Sequence, residues 1–125
     1  MKEFDVFVEN KPGELAKICE ALGSNGVNIK AIASERHHSR PQIRIVTDDE
    51  ATTRSMLKRA GVTFELKNVI TVSLSDRPGE LGKMARRLAK AMVNVDSIYI
   101  ISKENGMTEM ALTVDNPKKA KEALK

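Results

Sequence analysis

The chain has 125 residues, ordinarily one domain, and its 41% hydrophobic and 30% charged content is that of a soluble globular protein. Tryptophan is absent and aromatics make up only 3%, so an aliphatic core filled out by methionine is expected. The net charge of +4 divides into 11 basic against 10 acidic residues in 1–67 and 10 against 7 in 68–125, which disfavours nucleic acid as the main partner and mildly favours small anions.

Taken in chain order, Phe4, Val6 and Val8 alternate with Asp5, Phe7 and Glu9 and predict a half-buried strand. Asn10-Lys11-Pro12-Gly13 breaks it. Leu15, Ile18, Cys19 and Leu22 then form one helical stripe, which Gly23 to Gly26 end. Val27 to Glu35 reads as a second strand, His37 to Pro41 as a hairpin connection, and Ile43 to Thr47 as a third strand. Asp48 or Asp49 is expected to cap a helix running to Arg59. Ala60-Gly61 stops it, and Val62 to Lys67 forms a fourth strand.

The order then begins again. Ile70, Val72 and Leu74 make a strand; Leu81, Met84, Ala85 and Leu88 make a helical stripe. Asp96 to Lys103 and Thr108 to Val114 form a hairpin across Glu104-Asn105-Gly106, where Asn-Gly is a strong turn signal. Asn116 caps a last helix with Pro117 at its first position, and Ala120, Ala123 and Leu124 mark its buried side. No fourth strand follows.

This repetition is exact in spacing. Lys11-Pro12-Gly13-Glu14-Leu15 returns as Arg77-Pro78-Gly79-Glu80-Leu81, and Val27-Asn28-Ile29 as Val93-Asn94-Val95; Pro12 to Pro78 and Asn28 to Asn94 are both 66 residues apart. A period of this length is too long for a solenoid repeat and suits a small folded module. The predicted fold class is therefore α+β: two ferredoxin-like βαββαβ units in tandem, 1–67 and 68–125, the second lacking its last strand. Each unit alone would be marginal, since small domains bury little surface. A missing strand leaves a sheet edge open, which predicts a homodimer or higher oligomer.

The turn carries the chemistry. Pro and Gly enter a helix whose first N–H groups lack partners, and with the helix dipole these favour an anion such as an α-carboxylate. Glycine admits close approach to the backbone. Asn10 can serve both ends of a zwitterion, and an ionised Asp76 suits the ammonium end.

Asn/Asp-x-Pro-Gly-x-Leu, an amphipathic helix and Gly-Val-Asn-Ile entering the next strand together resemble the ACT domain, and the resemblance covers essentially the whole chain. The first copy is especially similar to the serine-sensing modules of phosphoglycerate dehydrogenases and to the small regulatory subunits of acetolactate synthases. The second departs in having Met92 where the first has Gly26. The resemblance implies a non-catalytic regulatory protein that binds a small amino acid between two units, with an amino-acid-biosynthetic enzyme as its partner. It implies one site built from Asn10, Lys11, Pro12, Gly13, Glu14 and Leu15 with Asn94 and Val95. The other would combine Asp76, Arg77, Pro78, Gly79, Glu80 and Leu81 with Asn28 and Ile29. Serine-sensing relatives have histidine where this chain has Val8, which counts against serine. Ile29, Ile32, Val95 and Ile98 are expected as apolar walls.

Other features carry less. His37-His38, flanked by Arg36 and Arg40, lacks a third ligand, so no metal site is expected. Cys19, the only cysteine, lies on an apolar stripe with no base beside it; a disulfide framework, a thiolate metal site and a cysteine nucleophile are all disfavoured. Neither a phosphate loop nor paired catalytic carboxylates stand out, so no catalytic residues and no cofactor are expected. Lys83, Arg86, Arg87 and Lys90, with Lys118, Lys119, Lys121 and Lys125, read as solvated faces. An RNA-binding ferredoxin-like protein is an alternative, but Tyr99 is alone on its strand where a sheet-based RNA reader needs stacking aromatics. A ligand-free subunit acting by contact is the other. With no leader and no run approaching a membrane span, a cytoplasmic protein without a membrane partner is expected.

Overall fold

A computed structural model describes residues 1–35 and 40–125, so the His37-His38 pair and most of the first hairpin connection lie outside the described residues. The chain divides into two compact units, Met1–Lys67 and Asn68–Lys125. In the first, β1 (Lys2–Phe7), α1 (Glu14–Ser24), β2 (Ile29–Glu35), β3 (Gln42–Thr47), α2 (Glu50–Arg59) and β4 (Phe64–Asn68) follow in order. In the second come β5 (Ile70–Ser75), α3 (Glu80–Lys90), β6 (Val95–Glu104), β7 (Met107–Val114) and α4 (Pro117–Ala123). The sheets run β2-β3-β1-β4 and β5-β7-β6. β5, β7 and β6 thus take the places of β1, β3 and β2, and no strand among the described residues stands where β4 would be.

Each core follows from strand alternation. Phe4, Val6, Ile43 and Ile45 point from one sheet face onto Ile18 and Leu22 of α1 and Met56 and Leu57 of α2. In the second unit Ile70, Met110 and Leu112 meet Met84, Leu88 and Ala120. Among the described residues of the first core one ring contact stands, Phe4 with Phe64, centroids 5.8 Å apart, and the other core residues are aliphatic or methionine. Both helical stripes are narrower than their sequence pattern. Leu15 and Leu81 are each 48% exposed and Ala85 is exposed too, because each helix lays only two of its turns over the sheet. The motif leucines overhang its end.

Helix ends share one device. Val27 N–H donates to Leu22 C=O and Gly26 N–H to Gly23 C=O; Val62 to Leu57 and Gly61 to Lys58; Val93 to Leu88 and Met92 to Ala89. In each, the penultimate residue is left-handed, with φ 72° at Gly26, 71° at Gly61 and 59° at Met92. Met92 therefore occupies a glycine position, 81% exposed and without packing to recover the strain. A Cβ there costs about 1–2 kcal/mol, against roughly 0.5–1 kcal/mol of extra chain entropy for glycine. The turn between β6 and β7 also has two positive φ values, 53° at Asn105 and 73° at Gly106, which explains the Asn-Gly pair.

On the helix-free face of the first sheet Asp5 is 2% exposed, opposite Arg44 in register and 3.2 Å from Lys67. Burial pushes its carboxyl from 3.8 up to about 7, the Glu3 carboxyl adds to this, and Lys67 opposes it.

Two outcomes follow from these features. Met92→Gly raises the unfolding free energy by about 0.5–1 kcal/mol in urea denaturation, and a loss of stability would show the position to be unstrained. Because folded Asp5 keeps a proton that the unfolded chain has already lost, its contribution falls as pH rises from 3.8 towards 7. The melting temperature of Asp5→Asn minus that of the parent should accordingly grow across that window; a flat difference contradicts the shift.

Candidate ligand site

Two of the helices begin differently from the others. α2 is capped by Asp49, whose carboxylate accepts from Thr52 N–H at 3.0 Å, and α4 by Asn116, which accepts from Lys119 N–H at 3.1 Å. α1 and α3 have no side-chain cap. The chain enters them through Gly13 (φ 94°) and Gly79 (φ 90°), a left-handed bend that L side chains rarely adopt. Ahead of each bend Lys11 N–H donates to Glu9 C=O at 3.0 Å, and Arg77 N–H to Ser75 C=O at 2.9 Å. The first capping bonds are Lys17 N–H to Gly13 C=O and Lys83 N–H to Gly79 C=O, both 3.0 Å. No acceptor among the described residues meets the N–H groups of Glu14, Leu15 and Ala16. At α3, Glu80 N–H reaches Arg77 C=O at 3.4 Å.

Beside the first bend lies a cavity of about 260 Å³. Asn10, Lys11, Pro12, Glu14 and Leu15 line it from the turn, Val8 and Ile43 from the sheet, Ser34 and Glu35 from the end of β2, with Glu9 and Pro41 completing it. A smaller one, about 120 Å³, lies beside the second bend, where Asp76, Arg77, Glu80 and Leu81 meet Leu74, Ile100, Lys103 and Met110. Gly13, Pro78 and Gly79 shape the turns without lining either cavity. The overhanging Leu15 and Leu81 are wall residues, which is why neither is buried in a core.

Charges differ between the copies. Lys11 pairs with Glu9 at 3.0 Å, and that contact raises the lysine above its usual range. Glu35 is 3.4 Å from Arg44. In the second copy Arg77 Nε donates to Glu80 at 2.9 Å and Lys83 stands 3.5 Å away; the Arg77 hydrogen bond holds the Glu80 carboxyl below its ordinary value. Lys103 lies 3.4 Å from Asp76.

Asn28, Ile29, Asn94 and Val95 line neither cavity. They stand where β2 and β6 begin, whereas the cavities sit at the other ends of those strands. Asn28 N–H donates to Asp48 Oδ1 at 2.9 Å while Asp48 N–H donates to Asn28 C=O at 3.1 Å; Asn94 and Asp115 repeat both bonds at 3.0 and 3.1 Å. The backbone of each asparagine is thus committed to a bracket and its side chain is exposed. The repeat pointed to the asparagines; Asp48 was read only as a possible cap of α2, and Asp115, 67 residues further on, was not singled out. Ser34, Glu35, Pro41 and Lys103 were likewise missed, because no motif marks the end of an edge strand. Ile32 and Ile98, expected as walls, are instead 42% and 41% exposed on the edge strands and line neither cavity. Among the described residues no cluster of three His, Cys, Asp or Glu could hold a metal, and no helix is long and apolar enough to cross a membrane.

A βαββαβ unit followed by a three-stranded copy, each with an uncapped glycine entry beside a cavity, defines a paired ferredoxin-like module with its polar sockets at the strand-to-helix turns. The family model for the ACT domain pair matches residues 1–125, and the chain belongs to that family. No curated protein matches it. Among solved structures, a protein from Bacteroides thetaiotaomicron is 24% identical with a TM-score of 0.88, covering 98% of this chain and 85% of that one. The regulatory subunit of aspartate kinase from Thermus thermophilus is 20% identical with a TM-score of 0.71, over 98% and 86%. The corresponding subunit from Thermus flavus is 19% identical with a TM-score of 0.66, over 98% and 88%. At these identities the likeness is one of fold.

Asp48→Ala removes the acceptor of Asn28 N–H and should cost about 1 kcal/mol in urea denaturation. A change within the roughly 0.5 kcal/mol of an ordinary surface substitution would show the bracket to be idle.

Proposed function

We propose that this ACT-domain pair is a non-catalytic regulator that binds a free amino acid at its strand-to-helix turns and passes the signal to a biosynthetic enzyme. The cavity at Asn10–Leu15 carries the reading, because it is lined by Glu14 and Leu15, whose helix amides lack partners among the described residues, together with the amide side chain of Asn10. The N–H groups of Glu14, Leu15 and Ala16 suit an α-carboxylate. Asn10 suits the ammonium end, and Val8, Leu15 and Ile43 supply apolar surface for a side chain. Family membership supports the same assignment.

Units 1–67 and 68–125 would act as ACT-like halves, the first supplying the site at Asn10–Leu15. The side chains of Asn28 and Asn94 are exposed. Pairing of chains as a homodimer belongs to the same reading, as does a cytoplasmic setting, where free amino acids report on biosynthesis. The solved regulatory subunits of aspartate kinase that share the fold make an amino-acid-biosynthetic enzyme a fitting partner. Ligand would act by its differential affinity for two states of the assembly.

Titration calorimetry with each of the twenty amino acids should find one binding at micromolar to millimolar affinity, roughly −8 to −4 kcal/mol. Asn10→Ala should weaken it by at least about tenfold, equivalent to roughly 1.4 kcal/mol, without loss of stability, since Asn10 is exposed. Silence with all twenty would favour regulation by protein contact alone.

A further inference from the structure

The two turns share a motif but not an interior. At the 66-residue spacing Asn10 corresponds to Asp76 and Ser34 to Ile100. In the first unit the cavity has about 260 Å³, in the second about 120 Å³. In the second unit four features bear on the cavity. Ile100 brings a branched apolar side chain where Ser34 brings a hydroxyl. Lys103 reaches Asp76 at 3.4 Å, supplying the cation that a zwitterion's ammonium would otherwise provide. Asp76 N–H already donates to Gly106 C=O at 2.8 Å, so the tip of the β6–β7 hairpin rests on the turn. Glu80 is clamped by Arg77 at 2.9 Å, whereas Lys11, the counterpart of Arg77, pairs with Glu9 instead.

Building on the amino-acid-binding reading, we propose that only the turn at Asn10–Leu15 takes a ligand and that the turn at Asp76–Leu81 is filled by its own chain. One α-amino acid zwitterion binds per chain, and Ser34 sets which turn is open. The second copy keeps its Pro-Gly bend because that bend starts α3, and its ion pairs occupy the polar groups that a ligand would have met.

The test is calorimetry on the full chain with each L-amino acid singly, followed by a full titration of whichever binds. A stoichiometry near one per chain is expected. Ser34→Ile, which puts the second unit's wall into the first, should weaken binding at least about tenfold; Ser34 is exposed on an edge strand, so isoleucine is tolerated there. Ile100→Lys, at a position 55% exposed, should leave the dissociation constant within about twofold. A stoichiometry of two, or an affinity that falls with Ile100→Lys and not with Ser34→Ile, overturns the proposal while leaving amino-acid binding intact. No heat with any of the twenty, at concentrations to the millimolar range, overturns both.

Discussion

The constraint on which the structure turns is the left-handed entry into α1 and α3. A helix begins with N–H groups that need acceptors, and the usual remedy is a side chain such as Asp49 or Asn116. Gly13 and Gly79 bring the chain round at φ near 90°, from which no side chain can reach back. The entry is sharp and the amides face outward. That geometry places a strand end, a turn and a helix mouth around one small volume.

Repetition and divergence act on different parts of this frame. What the two units keep is backbone: the glycine bend, the bond across Glu9-Lys11 or Ser75-Arg77, the helix-ending pair of bonds at Val27 or Val93, and the aspartate bracket around Asn28 or Asn94. What they vary is side chains over the turn. The repeated parts make the fold and hold strand ends in place; the varied parts decide what the cavity contains. Met92 in a glycine position shows that even the frame drifts where the cost is about a kcal/mol or two and lies far from the core.

Much of this was legible from residues alone. Alternation at Phe4-Val6 and Ile43-Ile45, the Asn-Gly turn, and the caps at Asp49 and Asn116 are local signals, and local signals set element order. The 66-residue echo turned that order into two units. Pro12-Gly13 and Pro78-Gly79 marked the turns because only glycine tolerates that bend. Ser34, Glu35 and Lys103 were not legible, since they come to the turns through strand register, which a single sequence does not display. Leu15 and Leu81 misled for a related reason: their spacing matches the buried stripe, but the helix overhangs the sheet at that end. The aspartate bracket escaped because hydrogen bonds to backbone N–H leave no side-chain periodicity.

The absence of a side-chain cap on α1 has a consequence for the proposed regulator. A first helical turn whose amides lack acceptors is prone to fraying, and on that reading an arriving carboxylate would take over the duty that Asp49 performs for α2. The guest would become part of the secondary structure, and its departure would loosen the strand-to-helix corner from which Asn10 and Leu15 project. Concentration would thereby be converted into local order at a corner of the protein surface.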